Sequence, residues 1–329
     1  MNGEKRVRNM RIRRWLFAAL SVALAVWLCV ALGLPRDVLS RDPERPLRIG
    51  ATYMTMNNPF YSVLDEELRL TVEGNGDLLL TRNPALDQEK QSEQIHDLLK
   101  EGIDLLVVNP VDYTEIRPAL MEARRMGVPV VVVDSPVSDP SLVACTVASD
   151  NYNAGVLCAQ ALMRTRPRAH IVLLEHPTAQ SAVERIQGFC DTIAGDEKYE
   201  ILGRESCNGQ LEQAMPAMER LIDQYGDKIQ VVMALNDPAA MGAMAALEER
   251  GRLADTDVYG VDGAPEAKGM IAEGAMAATV AQSPLKLAQQ TAQAVYHILR
   301  DERCESQVVV PVELVTRENV ARFGTDGWQ

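Results

Sequence analysis

From Leu47 onward, short apolar runs alternate with longer amphipathic stretches. The runs fall at 47–53, 78–81, 103–108, 128–133, 142–148, 170–174, 230–235, 257–261, 276–281 and 307–312. Many are rich in Val, Ile and Leu with no polar alternation, as in LLVVN, VPVVVVD and IQVVMALND. Apolar positions on both faces are the mark of parallel strands covered by helices. Between them, 87–101, 113–126, 180–195, 210–224, 237–250 and 284–300 read as amphipathic helices. Repeated strand–helix units predict an α/β fold of the doubly wound type. Ten strands are many for one open sheet in this length, so two lobes of about five strands each are expected.

In such sheets ligands sit beyond the carboxyl ends of the strands. Polar residues end several runs here: Asn109 after LLVV, Asp134 after VVVV, Asn236 after VVMAL, Asp262 after YGV and Gln282 after ATVA. Taken singly, each reads as a turn or a helix N-cap. Taken together they predict a polar site, because caps would also draw heavily on Ser, Thr and Gly.

The N-terminus has a different pattern. A basic flank (1–14) precedes a run without charges from Trp15 to Leu34, and a charged, proline-bearing linker (35–46) follows. Twenty apolar-rich residues at about 1.5 Å rise span about 30 Å, the hydrocarbon thickness of a bilayer. The basic flank predicts that the body lies outside the cytoplasmic membrane, on its outer face. Residues 15–34 exceed the usual signal-peptide core and favour a retained transmembrane anchor, while Ala31 and Gly33 leave cleavage and secretion open. Cys29 follows Trp27 and Leu28, too bulky for a lipid-modified cysteine.

Charge sharpens the division. Residues 1–45 carry nine basic and four acidic side chains, and the rest of the chain carries 24 and 42. An acidic body repels phosphates and argues against a nucleic-acid partner. Beyond the apolar run stand Cys145, Cys158, Cys190, Cys207 and Cys304, with no CxxC pair and no repeated spacing. They read as free thiols rather than a disulfide framework. No dinucleotide turn, P-loop, nucleophile elbow or HExxH is present. Glu175 and His176 are adjacent, and neighbours on a strand point to opposite faces. No catalytic constellation, metal site or cofactor is therefore expected.

The segments Asn57-Asn58-Pro59-Phe60-Tyr61, VNPVD (108–112), VVVVD (130–134), ASDN (148–151), SAVERIQGF (181–189), ALNDPAAMGAMAAL (234–247), YGVDGAPEA (259–267) and AATVAQSP (277–284) follow in order. In that order and spacing the chain resembles the bacterial periplasmic sugar-binding proteins of the ribose/galactose class, over nearly all of 47–315. The resemblance implies two α/β lobes, 47–149 plus 283–309 and 150–282 plus 310–329, joined by three crossings and closing on ligand by hinge motion. It implies a site of Asn58, Asn109, Asp134, Arg185, Asn236, Asp262 and Gln282, with Phe60 and Tyr61 stacking on a sugar ring.

Three departures from the ribose binders touch specificity. Ser135 stands in place of an Arg, Met54 in place of a small hydroxyl residue, and Gly209 in place of a stacking aromatic. Another pentose, a hexose, a polyol or a furanose is therefore as open as ribose. The resemblance implies a monomeric body whose partner is an ABC permease or a membrane sensor histidine kinase. The same lobes serve as effector domains of sugar-responsive repressors, but those carry a helix-turn-helix where this chain has its basic flank and apolar run. An enzyme on this fold is the remaining alternative.

Overall fold

A computed structural model of the protein describes residues 45–329. The run 15–34, its basic flank and nearly all of the linker lie outside the described residues. Among the described residues, no helix is long and apolar enough to cross a membrane.

The strands are β1 (Arg48–Thr52), β2 (Leu78–Arg82), β3 (Leu105–Val108), β4 (Val130–Val133), β5 (Cys145–Ser149), β6 (Ala169–Glu175), β7 (Tyr199–Ser206), β8 (Val231–Ala234), β9 (Asp257–Asp262), β10 (Ala278–Ala281), β11 (Gln307–Val310) and β12 (Glu313–Thr316). They form two six-stranded sheets, ordered β11-β5-β4-β3-β1-β2 and β12-β10-β9-β8-β6-β7. Neighbouring strands run parallel, save β12, which lies antiparallel to β10. The central strands β3, β4, β8 and β10 are buried at every position, as their unbroken apolar runs require.

The helices are α1 (Pro59–Gly74), α2 (Gln88–Lys100), α3 (Arg117–Arg125), α4 (Asn151–Thr165), α5 (Gln180–Ile193), α6 (Leu211–Tyr225), α7 (Asp237–Glu249), α8 (Pro265–Glu273) and α9 (Pro284–Leu299). The chain leaves the first sheet after Ser149 and returns to its layer after Ala281, where α9 packs on α1. It crosses once more between Val310 and Glu313.

Each sheet has one strand more than expected. β7 (YEILGRES) lies at a sheet edge with every position half-buried or exposed, so it lacks the apolar run that marks a central strand. β11 and β12 are separated only by Pro311 and Val312, and in sequence they merge into one run although they belong to different sheets.

The second lobe depends on a close crossing of α4 and α5. A Cβ on Gly155 would lie 1.8 Å from the carbonyl oxygen of Arg185, and one on Gly188 would lie 2.0 Å from that of Tyr152. The two backbones touch where only glycine fits, and the contact is made at Arg185 itself. Gly155→Ala is expected to destabilise the second lobe by about 1–3 kcal/mol through overpacking and to shift the helix turn that carries Arg185. Denaturant unfolding checks this. A variant as stable as the parent would show that the helices separate at no cost.

Candidate functional site

The carboxyl ends of both sheets face one nearly closed cleft, with about 30 Å3 of free space inside it. Met54, Asn58, Phe60, Tyr61 and Asp134 line it from the first lobe, and Arg185, Gly209, Asn236, Asp262 and Gln282 from the second. The lobes touch across it: the Tyr113 amide donates to the Thr178 carbonyl at 3.1 Å, and the Ser181 amide to Ser135 Oγ at 3.2 Å.

Arg185 enters from the first half of α5 and is 4% exposed. Its Nε donates to Asn151 Oδ1 at 2.9 Å and its Nη1 to the Leu235 carbonyl at 3.1 Å. Nη1 also lies 3.5 Å from Asp262 Oδ1, and Nη2 lies 3.9 Å from Asp134 Oδ1. One guanidinium thus stands between carboxylates carried by the two lobes. The local sequence, with Glu184 before it and Asp191 on the same helix, suggests a surface ion pair instead; the fold takes Arg185 inward.

Both carboxylates sit on strained backbone. Asp134 has φ 67° and Asp262 has φ 140°, in the region that favours glycine. Asp134 Oδ2 accepts from Tyr61 Oη and from Asn109 Nδ2, each at 3.1 Å. Asp262 Oδ1 accepts from Gln282 Nε2 at 2.7 Å. These bonds use one oxygen of each group. Among the described residues, Asp134 Oδ1, Asp262 Oδ2, Gln282 Oε1 and Asn151 Nδ2 are buried without a hydrogen-bond partner.

Burial raises the Asp134 carboxyl above the usual carboxylate range, against the pull of Arg185, Tyr61 and Asn109. Burial also pushes Asp262 up, to about 8; Arg185 opposes this, and the neighbouring carboxylates Asp237 and Asp134 add to it. Asp237, beneath the cleft, is pushed up by burial although Thr279 Oγ1 (2.6 Å) and the Ala264 amide (2.8 Å) donate to it. Asp134 and Asp262 therefore share the Arg185 guanidinium, with Asp237 close by, and groups that donate hydrogen bonds would relieve them.

The remaining expected residues divide between the wall and the layer behind it. Asn109 is fully buried and does not line the cleft; it holds Asp134 and accepts from the Met54 amide at 3.1 Å. Ser135 is likewise buried, with its hydroxyl spent on the α5 N-terminus. Asn58 and Asn236 line the wall and also cap α1 and α7, accepting from the amides of Phe60 and Ala239 at 3.0 Å each. Capping and lining are thus combined in one side chain. Gly209 has φ +66°, where a side chain is strained, and a Cβ there would lie 2.8 Å from Asn236 Nδ2, which would have to shift. The Phe60 ring meets Tyr61 edge-on at 5.4 Å and Trp328 at 5.7 Å.

Several residues escaped the sequence reading. Asn151, which anchors Arg185, lies in the quoted ASDN segment but not at a strand end. His176, just past the end of β6, lines the cleft, while its neighbour Glu175 pairs with Arg204 at 2.7 Å. Burial lowers the His176 imidazole to about 4. Trp328 has no local signal at all, since it reaches Phe60 only through the tertiary fold. Among the described residues, no group of three His, Cys, Asp or Glu is placed to hold a metal ion.

Comparison with known proteins bears on this site. The ribose import binding protein of Bacillus subtilis (strain 168) is 31% identical over 277 residues, covering 84% of this chain and 89% of its own length. A xylitol-binding protein of Mycolicibacterium smegmatis is 25% identical, covering 92% of this chain and 86% of its own. An ABC transporter solute-binding protein of Mycobacterium smegmatis, crystallised with glycerol, superposes with a TM-score of 0.80 at 30% identity, covering 85% of this chain and 97% of its own. These relatives are solute-binding proteins, not enzymes. The periplasmic binding protein domain matches residues 49–303, and the chain belongs to that family.

Proposed function

We propose that the chain is an extracytoplasmic receptor that holds a monosaccharide or polyol between two closing lobes and delivers it to an ABC importer. The observation that carries this reading is the set of buried acceptors on Asp134, Asp262 and Gln282 turned to one cleft. A buried polar group without a partner costs about 1–3 kcal/mol. A polyhydroxylated ligand supplies several donors at once and also accepts from Arg185. Apolar ligands supply none. The printed functions of the relatives, ribose import and xylitol binding, support the same class.

In this proposal the lobes are 47–149 plus 283–309 and 150–282 plus 310–329, with the three crossings as the hinge. Asn58, Asp134, Arg185, Asn236, Asp262 and Gln282 contact the ligand, and Phe60 covers its apolar face. Tyr61 and Asn109 orient Asp134. Residues 15–34 tether the otherwise monomeric body to the outer face of the cytoplasmic membrane. That tether is also what favours the second partner, a membrane sensor histidine kinase. Ligand-dependent copurification with a permease, against copurification with a kinase, separates the two.

A thermal-shift screen with pentoses, hexoses, inositols and linear polyols tests the ligand class. A ligand at about a hundredfold excess over Kd is expected to add about 2.7 kcal/mol. A shift with amino acids or nucleosides and with none of the polyols would overturn the reading. Asp262→Asn, measured by calorimetry with the ligand so found, is expected to cost about 2–4 kcal/mol, a factor of about 30–1000 in Kd.

The same substitution has a signature without ligand. The folded protein holds the Asp262 proton more tightly than the unfolded chain does. The stability this confers is complete below an unfolded value of about 3.9 and is lost as pH rises through about 8. His176, held neutral by burial, contributes the opposite slope, but only up to about pH 6.5. Stability of the ligand-free protein is therefore expected to fall between about pH 6.5 and 8, and less steeply in Asp262→Asn. Parallel slopes for the two proteins in urea melts across that window would remove Asp262 as the titrating group.

A further inference from the structure

The return of the chain to the first lobe brings two thiols together. Cys145 opens β5, and Cys304 lies in the connection that leads into β11. These strands pair in parallel with Gln307 opposite Thr146, and the Thr146 amide donates to the Ser306 carbonyl at 3.0 Å. That register lays the segment holding Cys304 against the start of β5. Cys145 is fully buried, and half-buried Cys304 packs on the same apolar core. The Cys304 thiol is a neighbour that adds to the rise of the Cys145 thiol, as the strand register leads one to expect. Cys158, Cys190 and Cys207 all belong to the other lobe.

We propose that Cys145 and Cys304 are a redox-active pair that closes to a disulfide by exchange with a small-molecule or protein disulfide, stapling β11 to β5. The placement of this pair in an oxidising compartment rests on the receptor reading above. The chemistry of the pair does not.

Cys304 is the accessible partner and attacks first. Its thiolate displaces one thiolate from the oxidant and forms a mixed disulfide. Burial pushes the Cys145 thiol up to about 12, with Cys304 and Glu305 adding to it, so it is a poor first nucleophile. Cys145 then attacks the Cys304 sulfur, and its proton passes to the second departing thiolate. Two protein thiols and one disulfide become one protein disulfide and two small thiols. The ring so closed spans residues 145–304, including the 150–282 part of the second lobe, so it restricts the unfolded chain strongly. It joins strands within one lobe and leaves the cleft free to open and close.

The test treats the purified full chain with oxidised glutathione, alkylates the remaining thiols and digests without reduction. Mass spectrometry is expected to find one peptide pair joined through Cys145 and Cys304, absent after reduction and absent in Cys304→Ser. The oxidised protein is expected to melt several degrees above the reduced one, and Cys304→Ser to melt alike with and without oxidant. Glutathione retained on Cys304 with Cys145 still alkylated after unfolding would overturn the proposal, as would two unmodified thiols. Ligand affinity, measured on the same samples, is expected to be equal in both redox states. A failure of the disulfide therefore leaves the sugar reading intact, and a failure of sugar binding leaves the disulfide result intact.

Discussion

The Arg185 guanidinium, buried between Asp134 and Asp262, is the interaction on which the rest of the cleft depends. A buried carboxylate without a counter-charge is expensive, and here two of them face each other from different lobes with Asp237 close behind. Burial raises all three carboxyls, so the guanidinium faces acids that favour their neutral form. Its contacts of 3.5 and 3.9 Å are long for charge-assisted hydrogen bonds. The site is electrostatically underpaid, and a ligand rich in hydroxyl donors is the natural remedy.

Several features of the fold serve to hold that cation in place. Asn151 and the Leu235 carbonyl fix the guanidinium plane from two directions, leaving its remaining edge toward the acids. The glycine contact between α4 and α5 sets the height of the turn that bears Arg185. On the facing side, Tyr61 and Asn109 hold one oxygen of Asp134 and leave the other directed to the cleft. The positive φ of Asp134 and Asp262 belongs to the same pattern. Strain of this kind persists only where the surroundings over-determine the conformation.

Stability and function oppose each other at these positions. Burial lifts the carboxyls of Asp134, Asp237 and Asp262, so the ligand-free closed cleft carries groups that would gain by being neutral or solvated. A two-lobed body answers this without rebuilding its core. In the receptor proposed above, the apolar strands stay packed within each lobe while opening exposes the carboxylates to water and closing presents them to a ligand. The departures at Met54 and Gly209 act on the wall, and the one at Ser135 on the layer behind it, rather than on this charge balance. Ser135 is spent on the α5 N-terminus, and Gly209 is confined by Asn236.

The sequence by itself determined the elements and their ends. Continuous Val and Ile runs such as Val130–Val133 must be central strands, because a strand apolar on both faces has to be covered on both. The polar residues that end them then fall on one edge of each sheet. Edge strands were less legible: β7 is half-buried or exposed throughout, and β12 is hidden behind β11 by a two-residue crossing. What only the tertiary structure decided is which polar groups meet. Arg185 and Asp262 are 77 residues apart, and Tyr61 and Asp134 are 73 apart. Asn109 supports the wall instead of forming it, Trp328 reaches Phe60, and β11 brings the segment holding Cys304 alongside β5. Hydrophobic periodicity is a local property, fixed by a turn of helix or a pair of strand residues. The partner of a buried charge is chosen by the packing of whole layers, and no local pattern records it.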